Sequence, residues 1–462
     1  MSYVEIGADA PLNHAAIDRY VSAEMARQRV PGLALGIFKD GAAVLAKGYG
    51  LSNVELGTPM TADSVLQSGS MGKSFVAVAI MMLVDEGRLH LDDSLADYLP
   101  AGGANWRSIK IGNLLSHTSG LSSFDTPELQ RPGGLFDIRQ DFSEDELVER
   151  IASLPIDFQA GEGWAYENTN FVLLGALIRR ITGQSYGEFF HERIFEPLGM
   201  SSTRIISDLD IVPNRSAGYE MVGGTLRNQA WVSPTFNSTA DGAMYFTIRD
   251  LERWDRALYG ESLISQKSIR QMWTPYPVAG ISSAEGYGLG WRIAFVNGHR
   301  VIGHNGAWQG FATSFARYVD SGLTVVALTN LDSGHSSPEV IVRAVAGLVD
   351  PRLQPPPLRP IHDERAEFSA SVWRNFQALI QGIPTAGMEA AFSAETVEDL
   401  KASLPDNWYE GTPALVERIT EDEGLLSTYR IGRSGDTRLL DVRSNEAGEV
   451  TSFSIEADPD NR

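Results

Sequence analysis

Three short runs carry groups suited to acyl transfer, at spacings that let each pair act together. In Ser70-Met71-Gly72-Lys73 the hydroxyl and the amine stand at i and i+3, which share one face of a helix. A serine in the first turn of a helix also feels the positive end of the helix dipole, which favours developing negative charge. A lysine held beside it and partly desolvated can take the serine proton and activate the oxygen. The chain has six lysines, at 39, 47, 73, 110, 267 and 401, and of these only Lys73 follows a serine by three positions. It also heads an apolar run, Phe75 to Val84, where a charge needs a reason. The alternative is a Ser70 that caps the helix and a Lys73 that is a surface charge.

The second run is Tyr166-Glu167-Asn168. In extended chain, residues i and i+2 point the same way, so both side chains can enter one site. A tyrosine beside an ammonium has a lowered pKa and can serve as a general base. An asparagine amide donates and accepts, so it can orient a lysine and a substrate amide together. The alternative is that Asn168 caps a helix beginning near Thr169. The third run is His304-Asn305-Gly306. Here His304 ends a strand signal, and Gly306 would let a substrate backbone approach closely. The alternative is a hairpin turn, because Asn-Gly is a strong short turn signal. A fourth run, Gly183-Gln184-Ser185-Tyr186-Gly187, has the form G-x-S-x-G. A nucleophile elbow needs a strand before its serine. The preceding NFVLLGALIRRIT has helical spacing instead, so Gly183 reads as a helix end and Ser185 as the cap of the next helix.

The ordered triple S-x-x-K, Y-x-N, H-x-G, flanked by LLSHTSGL at 114–121, TGQSYGEFF at 182–190, IFEPLGM at 194–200 and VVALTN at 325–330, resembles the serine β-lactamase and penicillin-binding-protein superfamily. Within it the chain is most similar to the class C β-lactamase-like group, which includes D-alanyl-D-alanine carboxypeptidases, D-aminopeptidases and β-lactamase-like esterases. The similarity spans about residues 12 to 350. It implies Ser70 as acyl-accepting nucleophile, Lys73 and Tyr166 sharing the base and acid work, and Asn168 orienting Lys73 and substrate. It implies an oxyanion hole from the backbone N–H groups of Ser70 and Ala307. His304 stands where the group often has the lysine of K-T-G. A neutral imidazole holds a carboxylate less well, so H-N-G points towards the D-aminopeptidase and esterase branches. Trp164, Trp308, Trp231 and Phe311 are candidate pocket walls, and Ser122 to Phe142 a candidate loop over the site.

These groups need elements to position them. Residues 33–38 and 43–47 read as a hairpin, 71–87 as a buried helix, and 144–153, 169–182 and 186–195 as further helices. Strand patterns return at 289–296, 299–303, 311–318 and 323–329, followed by a helix at 338–349. Strands at both ends with helices between imply one sheet built from the two ends of the chain, with a helical region beside it. The fold class expected is thus α/β (α+β): by resemblance, an antiparallel sheet flanked by helices plus a helical subdomain, of the β-lactamase/transpeptidase kind. Residues 1–350 form the expected catalytic domain, and the proline-rich 351–360 a linker. Residues 361–462 form a small α+β accessory domain, with helices at 366–380, 386–392 and 395–402 and strands at 414–420, 425–432, 437–443 and 449–456. Accessory domains in the group cap the site or form dimers, which leaves room for a homo-oligomer.

Composition narrows the rest. The 462 residues are 43% hydrophobic and 21% charged, as in ordinary globular chains. Acids outnumber bases 59 to 38, a net charge of -21, which disfavours nucleic acid and anionic membrane surfaces as partners. The absence of cysteine excludes disulfides, thiolate metal sites and a cysteine nucleophile. The longest apolar run has ten residues, short of the roughly 20 a spanning helix needs. No leader pattern follows Met1, so a cytoplasmic location is expected. No cofactor and no metal are expected. The expected activity is a serine hydrolase working through an acyl-enzyme on a small-molecule ester, amide or short peptide. The alternatives are a D-Ala-D-Ala carboxypeptidase or β-lactamase, and a non-catalytic binding protein on the same fold.

Overall fold

The structure, a computed structural model, describes residues 12–278, 286–354, 358–383, 404, 413–421, 424–433, 436–444 and 450–457. The chain divides into two compact units, residues 1–220 with 227–354, and residues 221–226 with 355–462.

The first unit is organised by an eight-stranded sheet. Its strands are β1 (Gly32–Lys39), β2 (Ala42–Asn53), β3 (Thr58–Pro59), β4 (Gly286–Tyr287), β5 (Arg292–Val296), β6 (His299–Trp308), β7 (Phe311–Tyr318) and β8 (Leu323–Thr329). The order across the sheet is β3-β2-β1-β8-β7-β6-β5-β4, with antiparallel neighbours. The seam where the chain's two ends meet is β1 against β8, with Leu33 opposite Thr329 and Lys39 opposite Leu323. Both seam strands read as continuous apolar runs, GLALGIF and LTVVALT, and are buried along both faces. That is the pattern of a strand covered on two sides rather than one. Ala34, Phe38, Val326 and Leu328 join the main core, while Leu33, Leu35, Ile37, Val325 and Ala327 are equally buried on the other face.

Two helices pack beside the sheet with residues outside that main core. Helix α1 (His14–Gln28) packs on α4 (Pro338–Val349), which lies against β7 and β8 with Ile341, Val342 and Val345 buried. Helix α2 (Lys73–Asp85) is apolar all round, and eleven of its residues, from Lys73 to Leu83, are buried. Such a helix is stable only inside a core. Phe75 stacks on Trp254 at 3.8 Å between ring centroids, and each fully buried Phe, Val or Leu contributes about 1.5–3 kcal/mol. Helix α3 (Asn168–Thr182) packs on α2 from the helical region.

Two local details differ from the expectations. The helix expected at 186–195 is α-helical to Phe190 and then widens to a π-turn over His191–Phe195. The strand expected to stop at 303 runs on to Trp308, so Asn305-Gly306 lies within β6 and the hairpin turn is Gln309-Gly310. Gly183 does end α3 with φ 79°, and the Ser185 hydroxyl does cap the next helix, accepting from Glu188 N.

The second unit has a helix, α5 (Ala366–Ile380), and a four-stranded antiparallel meander of β9 (Ala414–Glu421), β10 (Gly424–Arg433), β11 (Asp436–Ser444) and β12 (Val450–Ala457). Val372, Phe376 and Ile380 of α5 share a core with Leu415, Tyr429, Leu440 and Phe453. The helices expected at 386–392 and 395–402 lie outside the described residues. Among the described residues, no helix is long and apolar enough to cross a membrane.

Candidate active site

Ser70 sits in a tight 3-10 turn, Gly69–Gly72, directly before α2, and its side chain caps nothing. Lys73 follows one turn later and is fully buried. Its ammonium donates to Ser70 Oγ at 3.0 Å, to Asn168 Oδ1 at 2.6 Å and to the Asp241 carbonyl at 2.5 Å. Three acceptors use the three N–H groups of an ammonium. The Tyr166 and Phe171 rings lie 5.2 and 5.4 Å from Nζ. Lys73 is therefore no surface charge. Asn168 is no cap either: α3 begins at it, and its amide spans Lys73 and Asp125, Nδ2 donating to Asp125 Oδ2 at 2.5 Å.

The Tyr166 hydroxyl is buried and makes no hydrogen bond among the described residues. Around its ring stand His117 at 4.3 Å, Tyr287 at 6.1 Å and His304 at 6.1 Å between centroids, with the Arg292 guanidinium 5.7 Å away. His304 is 2% exposed. Its Nδ1 faces the Asn305 carbonyl at 2.5 Å, and its Nε2 faces Tyr287 OH at 2.8 Å. A carbonyl only accepts, so Nδ1 carries the proton and Nε2 accepts from the phenol. Burial first, then the nearby Lys73 charge, pushes the imidazole pKa down to about 3. Burial likewise holds Tyr287 well above 10, so it stays a donor. His304 is thus neutral near pH 7 and cannot supply the charge of a K-T-G lysine.

The strand carrying His304 also brings the Ala307 N–H up to the Ser70 turn. The two-residue turn makes Trp308 and Phe311 the closing hydrogen-bonded pair of the β6–β7 hairpin. Ala307, opposite Ala312, then falls at a non-hydrogen-bonded position, and its N–H points away from β7. That side is where the Ser70 turn lies. Gly69, at φ +52°, would place a Cβ 2.3 Å from Ala307 N, and Gly306 would place one 2.0 Å from the Ser68 carbonyl. Bare backbone on both sides is what lets the Ser70 turn and β6 touch. Gly306 lines the cleft, but its missing side chain makes room for Ser68 rather than for a substrate backbone.

A cleft of about 250 Å³ opens here, with Ser70, Tyr166, Arg292, His304, Gly306 and Ala307 in its wall. A smaller recess behind Ser70 is walled by Asn168, Thr239, Asp241 and Trp308. A larger cavity, about 1600 Å³, lies around Tyr186 and Met200, and of these residues only Thr239 reaches it. Trp308 stands beside Ser70 and donates to Asn237 Oδ1 at 2.9 Å. Trp164, expected as a pocket wall, is 43% exposed, packs beside His117 and Tyr287, and does not line the cleft. Trp231 is exposed, and Phe311 is buried core rather than pocket wall.

Five residues of the site were not singled out from sequence: Arg292, Tyr287, His117, Asp241 and Asp125. His117 lay in plain view in LLSHTSGL. Its Nδ1 accepts from Glu167 N at 3.1 Å, fixing the chain just before Asn168, and burial holds its pKa well below 6.5. Asp241 has a buried oxygen, Oδ1, with no hydrogen bond among the described residues, and burial raises its pKa against the pull of Lys73. No group of three or more His, Asp or Glu among the described residues is arranged to hold a metal ion.

The comparisons agree with this geometry. The family described as "Beta-lactamase" matches residues 17–349. Penicillin-binding protein 4 of Amycolatopsis lactamdurans is 30% identical over 345 residues, 69% of this chain and 86% of that protein. The crystal structure of a D-stereospecific amidohydrolase from Streptomyces sp. superposes with a TM-score of 0.60 at 28% identity, covering 69% of this chain and 95% of that one. An octameric penicillin-binding protein homologue from Pyrococcus abyssi shares the fold over 96% of this chain and 98% of that one, with a TM-score of 0.65 at 22% identity. Matched over residues 17–349, with Ser70, Tyr166 and His304 of the ordered triple lining one cleft, the chain belongs to the β-lactamase family, within the serine β-lactamase and penicillin-binding-protein superfamily.

Proposed function

We propose that this protein is a serine hydrolase that acts through an acyl-enzyme on an ester, a small amide or a short peptide. The observation that carries the reading is the fully buried Lys73, hydrogen-bonded to Ser70 Oγ and Asn168 and 5.2 Å from the ring of Tyr166, whose hydroxyl has no hydrogen-bond partner among the described residues. Burying an ammonium costs several kcal/mol unless it is well paired, and a fold that needed no base there has no use for one. In this reading the Lys73–Tyr166 pair starts one proton short of an ammonium and a phenol together, and it takes the proton of Ser70 Oγ as that oxygen bonds to the substrate carbonyl carbon. The oxyanion is held by the N–H groups of Ser70 and Ala307. The pair then protonates the leaving oxygen or nitrogen as its bond breaks. Water attacks the acyl carbon, gives its proton to the pair, and Ser70 leaves reprotonated.

Because His304 is neutral, the cleft does not owe any anion preference to it. The D-stereospecific amidohydrolase likeness and the H-N-G run favour amides and esters over β-lactams. A second reading, a carboxypeptidase of D-Ala-D-Ala ends, is favoured by Arg292, a guanidinium in the cleft wall. The test is a panel: a short-chain p-nitrophenyl ester, a D-alanine p-nitroanilide, a chromogenic cephalosporin and a D-Ala-D-Ala peptide, each run beside Ser70→Ala, with mass spectrometry for an adduct on Ser70. Turnover that survives Ser70→Ala overturns the acyl-enzyme. Preference for the D-Ala-D-Ala peptide, lost in Arg292→Gln while ester turnover stays, selects the second reading. No turnover and no adduct selects a binding protein.

A further inference from the structure

We infer that Asp125 is a positioning residue: its carboxylate pins the Asn168 amide and through it holds Lys73 against Ser70. The inference rests on the reading of Ser70 and Lys73 given above. Asp125 lies on the segment between Ser122 and Phe142, remote in sequence from all three motifs. Its Oδ2 accepts from Asn168 Nδ2 at 2.5 Å, while Asn168 Oδ1 accepts from Lys73 Nζ at 2.6 Å. The ammonium decides which end of the amide faces it. It does not decide where the amide sits, because a side-chain amide held at one end still swings about its two torsions. A carboxylate on the other end removes that freedom, and a carboxylate can only accept, so the amide has one orientation that satisfies both neighbours.

Asp125 is itself held. Ser123 Oγ donates to Asp125 Oδ1. The segment is clasped to the start of α3, with Phe124 N donating to Thr169 Oγ1 at 3.2 Å and Thr169 Oγ1 donating to the Ser122 carbonyl at 2.8 Å. The chain of contacts thus runs Ser123, Asp125, Asn168, Lys73, Ser70, each member fixed by the one before. The segment's link to the chemistry is this bond.

The test is a double-mutant cycle between positions 125 and 168, on whichever substrate gives Ser70-dependent turnover. Displacing a reacting group by about 1 Å can cost roughly 100-fold. Asp125→Ala is therefore expected to lower kcat about 10- to 100-fold with KM within about threefold. In an Asn168→Ala background, already slow, the same change is expected to add less than about twofold, because the residue through which it acts is gone. Asp125→Asn, which keeps an acceptor and loses the charge, is expected to recover most of the rate. Equal losses in both backgrounds, an unchanged kcat, or no recovery in Asp125→Asn would each overturn the proposal. If Asp125→Ala does not fold, the nearly isosteric Asp125→Leu takes its place in the cycle. A crystal structure of the variant needs no turnover: an Asn168 amide moved off Lys73 supports the proposal, and an unmoved one refutes it. Turnover surviving Ser70→Ala would instead refute the acyl-enzyme and leave that structural result standing.

Discussion

Replacing Gly306 by alanine should disable the site while leaving every chemical group in place. A Cβ at 306 would lie 2.0 Å from the Ser68 carbonyl, 2.6 Å from Thr313 Oγ1 and 2.9 Å from Met71 N. The Ser68 oxygen cannot turn aside cheaply, because it already accepts from Thr313 Oγ1 at 2.7 Å. A carbon and a carbonyl oxygen pack at about 3.3–3.6 Å, so β6 and the nucleophile turn must part by roughly 1.4 Å. That movement separates the Ala307 N–H from the Ser70 N–H. Losing one donor of an oxyanion hole costs about 10²–10³ in kcat, or about 2.7–4 kcal/mol of transition-state stabilisation. Forcing a methyl into packed backbone costs the fold about 1–3 kcal/mol, which the first unit should survive with a melting point lowered by a few degrees. The assay is kcat and KM on an active ester beside circular dichroism and a thermal melt. A folded Gly306→Ala protein that keeps kcat within about threefold would refute the claim that the bare contact between these two backbones builds the site.

Other consequences follow from the same geometry. Lys73→Met, of similar length without a charge, should lower kcat by about two to four powers of ten, the range for losing a general acid–base group, and steady-state turnover with Ser70 labelling checks it. Ser185→Ala, in the G-x-S-x-G run, should leave kcat untouched and cost about 1 kcal/mol of stability as a lost cap, read by urea unfolding. His304 has a folded pKa of about 3 against an unfolded value near 6.5, so the unfolded chain binds the extra proton first. Its contribution is whole above pH 6.5 and is lost as the pH falls towards 3, at up to about 1.4 kcal/mol per pH unit. His117 is depressed in the same direction and adds to the slope. Unfolding free energies measured from pH 7 to 4 should fall more gently in His304→Asn, and the His304 imidazole resonances should not titrate between pH 8 and 5.

What could be read ahead of the fold has a physical pattern. Ser70 and Lys73 were legible because they stand on consecutive helical turns, the 3-10 turn and the start of α2, where spacing alone fixes their facing. The β1–β8 seam was legible because strands covered on both faces must be apolar throughout. Asn305-Gly306 misled on local grounds: the dipeptide favours a turn, yet the glycine is there for the carbonyl of Ser68, 238 positions earlier in the sequence (306 − 68). Arg292, Tyr287, Asp241 and Asp125 carried no signal at all. Each is a single residue of a common type, and each acquires its surroundings only when the sheet closes.

The cost of placing Lys73 explains why so much structure gathers there. A buried ammonium is tolerated only with its three protons paired, and the three acceptors come from three separate stretches: Ser70 from its own turn, Asn168 from the start of α3, and Asp241 from a loop beside Gly242. None of these can be supplied by the helix that carries the lysine beyond Ser70. The helical region, through α3, is therefore held to the sheet side partly by the charge it must neutralise. Any variant that loosens that region exposes Lys73 to water, and an exposed lysine no longer has its geometry with Ser70 set by the fold. Catalytic competence and the docking of α3 on α2 should then be lost together, before the sheet itself unfolds.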